Sequence, residues 1–178
     1  MGLFEQIVTE TQRKGLGFLV IGGHAVNFYG YSRETADLDL LVRRDARAAW
    51  AELFSGLGYV LEHDAGTFMQ FAPRGQAEWP VDLMLVRKPT LVAMLADSRE
   101  VNMYGAKLRI PSPEHLIALK LHALKHTRAH RFLKDFQDVE GMVRTNHLDL
   151  QSERIRRLFL KYGNLDLYEK IVRACSDD

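Results

Sequence analysis

The sequence predicts an α/β (α+β) fold: a mixed-sheet core followed by a C-terminal helical region. Three observations carry this prediction. Short apolar or alternating runs such as "FLVIG" (18–22), "DLDLLV" (37–42) and "PVDLMLV" (80–86) have strand length and strand pattern. They are interleaved with stretches whose apolar residues recur every three to four positions, the helical period. From residue 112 onward the strand pattern stops and only helical periodicity remains.

Leu3, Phe4, Ile7, Val8 and Thr11 define a first helix that Gly15 ends. The strand at 18–22 runs into Gly22-Gly23, which turns it into a short helix over roughly 24–30. The strand 37–42 follows, and then an amphipathic helix over 45–58 for which Asp45 is the expected N-cap. "YVLEH" and "TFMQFAP" form two strands around "DAG", and the strand 80–86 has Pro80 at its edge. A short helix spans 90–96, and "VNMYGAKLRI" reads as a hairpin turning at Gly105. Ser112 as N-cap and Pro113 at the first helical position open the helical region. The expected organisation is a core over 1–110 and a helical region over 111–178, packed on the core and completing its site.

With 178 residues, one domain or one domain with a helical appendage is expected. The 24 basic and 23 acidic residues nearly cancel, so any nucleic-acid or anion site must be local. One cysteine, Cys175, rules out an intrachain disulfide or a cysteine zinc cluster and suits a reducing cytoplasm. No apolar run approaches the roughly 20 residues that cross a bilayer, and the N-terminus lacks a basic leader. A cytoplasmic protein without a membrane partner is therefore expected.

The chemistry concentrates in "GGHAVNFYGYSRETADLDLLV" (22–42). Alternation puts Asp37 and Asp39 on one strand face, about 7 Å apart by strand rise. Buried charges are costly unless paired or bound to metal. Asp82 is a third acid, inside the apolar strand 80–86. If the two strands are neighbours, three carboxylates converge, and hard oxygen ligands suit Mg²⁺. Two ions about 3.5–4 Å apart would support in-line phosphoryl displacement. Gly22 and Gly23 leave a helix N-terminus free of side chains, where a phosphate can approach. The plainer reading is a tight strand-to-helix turn and an acid pair on a wet sheet face.

The double glycine, the thirteen residues from His24 to Ala36, and "DLDL" resemble the signature of the DNA polymerase beta-type nucleotidyltransferase superfamily. The flanking GG-x-A start and R-x-T-x-D-L-D-L end are similar to AbiEii-like and minimal nucleotidyltransferases of toxin–antitoxin type, over roughly 16–145. The resemblance implies an enzyme that transfers NMP from an NTP such as ATP to an acceptor hydroxyl, with an RNA or tRNA 3′ end favoured. It also implies two Mg²⁺ ions, replaceable by Mn²⁺, and a cognate antitoxin partner. It places the metal on Asp37, Asp39 and Asp82 and the nucleotide on Gly22, Gly23, Arg33 and Thr35.

In the helical region, Lys120 shares a helical line with Leu116 and Leu124. It either snorkels to solvent or meets an anion, such as a phosphate opposite the carboxylates. Phe132, Phe136, Val139 and Val143 form an apolar stripe, with Lys134 and Asp138 on the other side as an i, i+4 pair. In AbiEii-like proteins a lysine helix and an (R/K)-D-x-x-D segment belong to the active site. By that resemblance Lys120, Lys134, Asp135 and Asp138 join the nucleotide site, with Lys120 catalytic. Lys134 stands where arginine is frequent, which weakens any role needing a bidentate fork. Arg33 contacts phosphate or closes a loop salt bridge; Tyr29 and Tyr31 stack on a base or pack in the core. His122, His126 and His130 repeat every four residues, yet HExxH is absent and a zinc site is not expected. Lys120, Lys125, Arg128, Arg131 and Lys134 make a local basic strip. Two alternatives remain: a non-catalytic nucleotide-binding or antitoxin-like module on the same fold, and an antibiotic nucleotidyltransferase.

Overall fold

The computed structural model describes residues 1–75, 79–126 and 129–176, the side chains of 126, 129 and 130 excepted. The chain divides into two compact units. The first comprises Met1–Ala25 and Glu34–Ser112; the second comprises Val26–Arg33 and Pro113–Asp178.

The first unit is built on a five-stranded mixed sheet of order β1-β2-β5-β4-β3. Its strands are β1 (Phe18–Val20), β2 (Leu38–Arg43), β3 (Tyr59–Asp64), β4 (Phe68–Pro73) and β5 (Val81–Val86). β2 and β5 run parallel at the centre, and every other pairing in this sheet is antiparallel. Both faces of β2 are covered, since consecutive Leu40, Leu41 and Val42 are all fully buried. This is why the alternation of "DLDLLV" breaks into a continuous apolar run. Pro80 lies just outside β5, where its missing N–H costs nothing, and its carbonyl accepts from Leu38 to start the parallel ladder.

The helices of this unit are α1 (Leu3–Lys14), the start of α2 (Gly22–Phe28), α3 (Arg47–Gly56) and α4 (Lys88–Ala96). α1 stops at Gly15, which takes the left-handed conformation at φ 63° and donates back to the last turn. Trp50 and Phe54 of α3 bury against Phe18 and Phe71. Asp45 does not cap α3. It accepts from Arg43 Nε at 2.8 Å, and the helix starts one residue later behind a single 3₁₀ turn. A charge-assisted contact to the nearby guanidinium wins the carboxylate over a neutral backbone N–H. A separate hairpin, β6 (Arg99–Met103) and β7 (Ala106–Ile110), turns at Tyr104-Gly105. Both turn residues have positive φ, 49° and 80°, as a two-residue type I′ turn demands.

The second unit contains α5 (Pro113–His126), α6 (Ala129–Thr145), α7 (Glu153–Tyr162) and α8 (Leu165–Ser176). Leu116, Leu121, Val139, Met142, Ile155, Phe159 and Ile171 form its core. Phe132 and Phe136 stack along α6 at 5.9 Å, and Val139 and Val143 continue the stripe, as the spacing predicts. Ser152 caps α7 by accepting from Ile155 N. α2 ends two residues earlier than expected, at Phe28, and Gly30, at φ 92°, donates back to Asn27 O in the turn that follows. No helix of the described residues is long and apolar enough to cross a membrane.

Candidate functional site

The carboxylates of the first unit meet because β2 and β5 are neighbours. Asp39 lies directly opposite Asp82 in the parallel register. Asp37 precedes the strand by one residue. One oxygen of each acid lies within 4.8 Å of the others. Like charges at ~5 Å repel by about 3 kcal/mol per pair at an effective dielectric near 20. Three hard oxygen donors at this spacing fit a divalent cation, which turns the repulsion into coordination. Among the described residues this is the one cluster of three or more histidine, cysteine or acid side chains that could hold a metal.

Gly22 makes the approach of Asp39 feasible. It sits at φ 62°, and a Cβ there would lie 1.8 Å from Asp39 Oδ2. Any side chain at this position would occupy the carboxylate's place. Gly23 is buried in the first turn of α2. Thr35 donates from Oγ1 to the backbone oxygen and Oδ1 of Asp37, at 3.2 and 3.3 Å.

Gln70 has no role in the sequence reading. It stands opposite Asp82 on β4 and donates to Asp82 Oδ1 at 3.2 Å. The available signal is a single amide in the otherwise apolar "FMQFAP", but its partner depends on sheet order. Outer-sphere contacts that orient ligands are worth about 10–100-fold in function. Gln70→Ala should therefore lower turnover roughly tenfold and leave the circular dichroism spectrum unchanged. Steady-state kinetics at saturating metal checks this.

A second polar cluster belongs entirely to the second unit. Asp138 is fully buried. Arg33 grips it with both arms of the guanidinium, Nε to Oδ1 at 2.7 Å and Nη2 to Oδ2 at 3.0 Å. Lys120 Nζ reaches Asp138 Oδ2 at 2.8 Å and Asp135 Oδ1 at 2.7 Å. Burial disfavours the Lys120 ammonium, but Asp138 and Asp135 outweigh it and hold its pKa above the ordinary lysine value. The expected anionic partner of this apolar-face lysine thus lies within the chain.

The i, i+4 pairing of Lys134 with Asp138 does not form. Lys134 is exposed and makes no ion pair among the described residues, because Asp138 turns inward to Arg33 and Lys120. Arg33 closes a salt bridge, the second of its two readings. Tyr31 packs its ring on Gly141 of α6, where a Cβ would lie 2.2 Å from Cδ2. Lys125 and Arg131 of the basic strip are exposed, as is His122. Arg128 and the side chains of His126 and His130 lie outside the described residues.

The sequence matches, over residues 3–173, the family described as "Nucleotidyl transferase of unknown function (DUF2204)". The protein belongs to this family and is a nucleotidyltransferase. Its fold is similar to that of ANT(2″)-Ia in complex with adenylyl-2″-tobramycin, with TM-score 0.67 and 14% identity over 90% of this chain and 94% of that one. It is also similar to an antigenic nucleotidyltransferase-like protein from Paracoccidioides brasiliensis (TM-score 0.60, 15% identity, 98% and 90% covered). A third similar structure is the lincosamide antibiotic adenylyltransferase LnuA with lincomycin bound (TM-score 0.54, 14% identity, 76% and 91% covered). No curated protein matches the chain in sequence.

Proposed function

We propose that this nucleotidyltransferase moves a nucleoside monophosphate from an NTP, ATP among them, to the terminal hydroxyl of an RNA such as tRNA. The observation that carries the reaction type is the convergence of Asp37, Asp39 and Asp82 within 4.8 Å beside the Gly22 turn. The acceptor oxygen forms a bond to the α-phosphorus while the bond to the bridging oxygen of the departing pyrophosphate breaks. Asp37 and Asp39 would hold two Mg²⁺ ions, with Mn²⁺ as a substitute, and Asp82 would complete the ligand set. The ions supply charge neutralisation at the reacting phosphate. Asp82 would also take the acceptor's proton. Gly22 and Gly23 leave room for the triphosphate. Lys134, in the helical unit, is an exposed cation that suits an anion such as a phosphate. Lys120 and Arg33 already have their charges matched by Asp135 and Asp138.

The RNA acceptor rests on the basic strip. Lys125, Arg131 and Lys134 are exposed cations within ten positions of one another, a local attraction for a polyanion in a chain of formal net charge +1. The toxin–antitoxin role, with a cognate antitoxin as partner, follows from the AbiEii-like motif pattern. A non-catalytic module is disfavoured, because binding alone gives no reason to keep three mutually repelling acids together. Transfer to a small antibiotic is the second reading. Two structures similar in fold are described with adenylyl-2″-tobramycin and with lincomycin.

Labelled product after incubation with total RNA, an α-³²P-NTP and Mg²⁺ tests the acceptor. Label that ribonuclease destroys supports RNA; ribonuclease-resistant label in a small-molecule fraction supports the second reading. RNA affinity should fall with salt, and Lys125→Gln with Arg131→Gln should reduce the log–log slope by roughly 1–2. NTP affinity should stay the same. A salt-independent binding titration would remove the RNA acceptor.

A further inference from the structure

We infer that Asp138 is a positioning residue: it anchors the spacer between the Gly22-Gly23 turn and the catalytic acids, and so sets how the chain enters Asp37. The inference rests on the nucleotidyl-transfer reading for its kinetic part only.

Val26–Arg33 belongs to the helical unit, while the residues on either side of it belong to the sheet unit. The spacer is therefore no simple loop. It leaves the sheet unit, is fastened among the helices, and returns at Glu34, three residues before Asp37. Several independent contacts fasten it. Asn27 and Arg33 close it on itself, Asn27 Nδ2 donating to Arg33 O at 2.8 Å and Arg33 N donating to Asn27 Oδ1 at 2.9 Å. Asn146 Nδ2 donates to Tyr29 O at 3.3 Å. Tyr31 fills the groove that Gly141 leaves open on α6. At the end nearest the acids, the Arg33 fork closes on fully buried Asp138.

The charges of this knot cancel: Arg33 and Lys120 against Asp135 and Asp138. A neutral, hydrogen-bonded knot has no net attraction for a triphosphate. A bidentate guanidinium–carboxylate pair fixes direction as well as distance, which is what a positioning contact requires. Beyond Arg33 only Glu34, Thr35 and Ala36 intervene before Asp37, and Thr35 is itself bonded to Asp37. A shift of the anchor thus passes directly along the chain to a metal-binding acid.

Two variants test this. Asp138→Asn removes the charge that Arg33 and Lys120 share. Gly141→Ala pushes a methyl group into the Tyr31 ring and changes no charge. Both should lower kcat roughly 10–100-fold with KM for NTP within about threefold. Both should also speed amide hydrogen exchange at 27–36 by at least about tenfold. If Asp138→Asn does not fold, Gly141→Ala carries the same test alone. A lower KM for NTP in Asp138→Asn would mean that the freed cations grip phosphate, and would overturn the inference. So would unchanged kcat, or unchanged exchange at 27–36, in Gly141→Ala. If the wild-type protein transfers no label at all, the function reading has failed, and hydrogen exchange alone decides the anchoring.

Discussion

Asp39→Asn is expected to reduce metal-dependent transfer by about three orders of magnitude or more while the protein remains folded. Asn keeps the shape of the side chain and removes its charge. Asp39 faces Asp82 across the parallel β2–β5 pair, and Asp37 brings a third oxygen within 4.8 Å. Without the Asp39 charge, the set of three oxygens that would hold the metal loses one anionic ligand. Asp37→Asn should behave in the same way. In EDTA both variants should melt at or above the wild-type temperature, since one like-charge repulsion is gone. In Mg²⁺ the wild type should gain stability from the ion and the variants should not. Thermal melts with and without metal, run beside rate measurements, separate loss of chemistry from loss of fold.

Gly22→Ala should have the second largest effect. The backbone there is left-handed, which costs a residue with a Cβ about 1–2 kcal/mol. The added methyl would also land 1.8 Å from Asp39 Oδ2, so the carboxylate or the turn must move. Misplacing a catalytic group by about 1 Å costs on the order of 10²-fold in rate. Gly15→Ala is the matching control. Gly15 has nearly the same φ, 63°, but nothing within 4 Å of its added Cβ. It should lose comparable stability and keep its turnover. Equal turnover in the two variants would mean that the contact between Gly22 and Asp39 has no functional weight.

The acids Asp37, Asp39 and Asp82 stand out in the sequence because each signal is local. A double glycine after an apolar run marks a turn, and acids inside strand patterns stand out against their neighbours. The order of the sheet was still needed to bring Asp82 opposite Asp39. Gln70 was not legible for the same reason: an amide in a strand gains meaning only when the strand beside it is known. In the helical region the Lys134–Asp138 pairing that the spacing predicts loses to distant partners. Lys134 and Asp138 stand at i, i+4, but an exposed pair of that kind contributes only about 0.2–0.5 kcal/mol. A buried carboxylate gains far more from a guanidinium fork and an ammonium, so Asp138 faces Arg33, 105 positions away. The position of Asp45 likewise predicts a cap, but the guanidinium two residues before it takes the carboxylate. The thirteen-residue spacer gave no sign in its sequence that Val26–Arg33 joins the helical unit.

If the Asp37–Asp39–Asp82 cluster carries the reaction, the group that moves is the nucleoside monophosphate, through its α-phosphorus. The most direct measurement uses NTPs labelled with ³²P at the α or the γ position, incubated with the protein, Mg²⁺ and total RNA. The expected result is that α-label passes to the acceptor and γ-label appears only in pyrophosphate. Both signals should vanish in EDTA and in Asp39→Asn. Passage of γ-label to the acceptor, or α-label transfer that persists in Asp39→Asn, would contradict it.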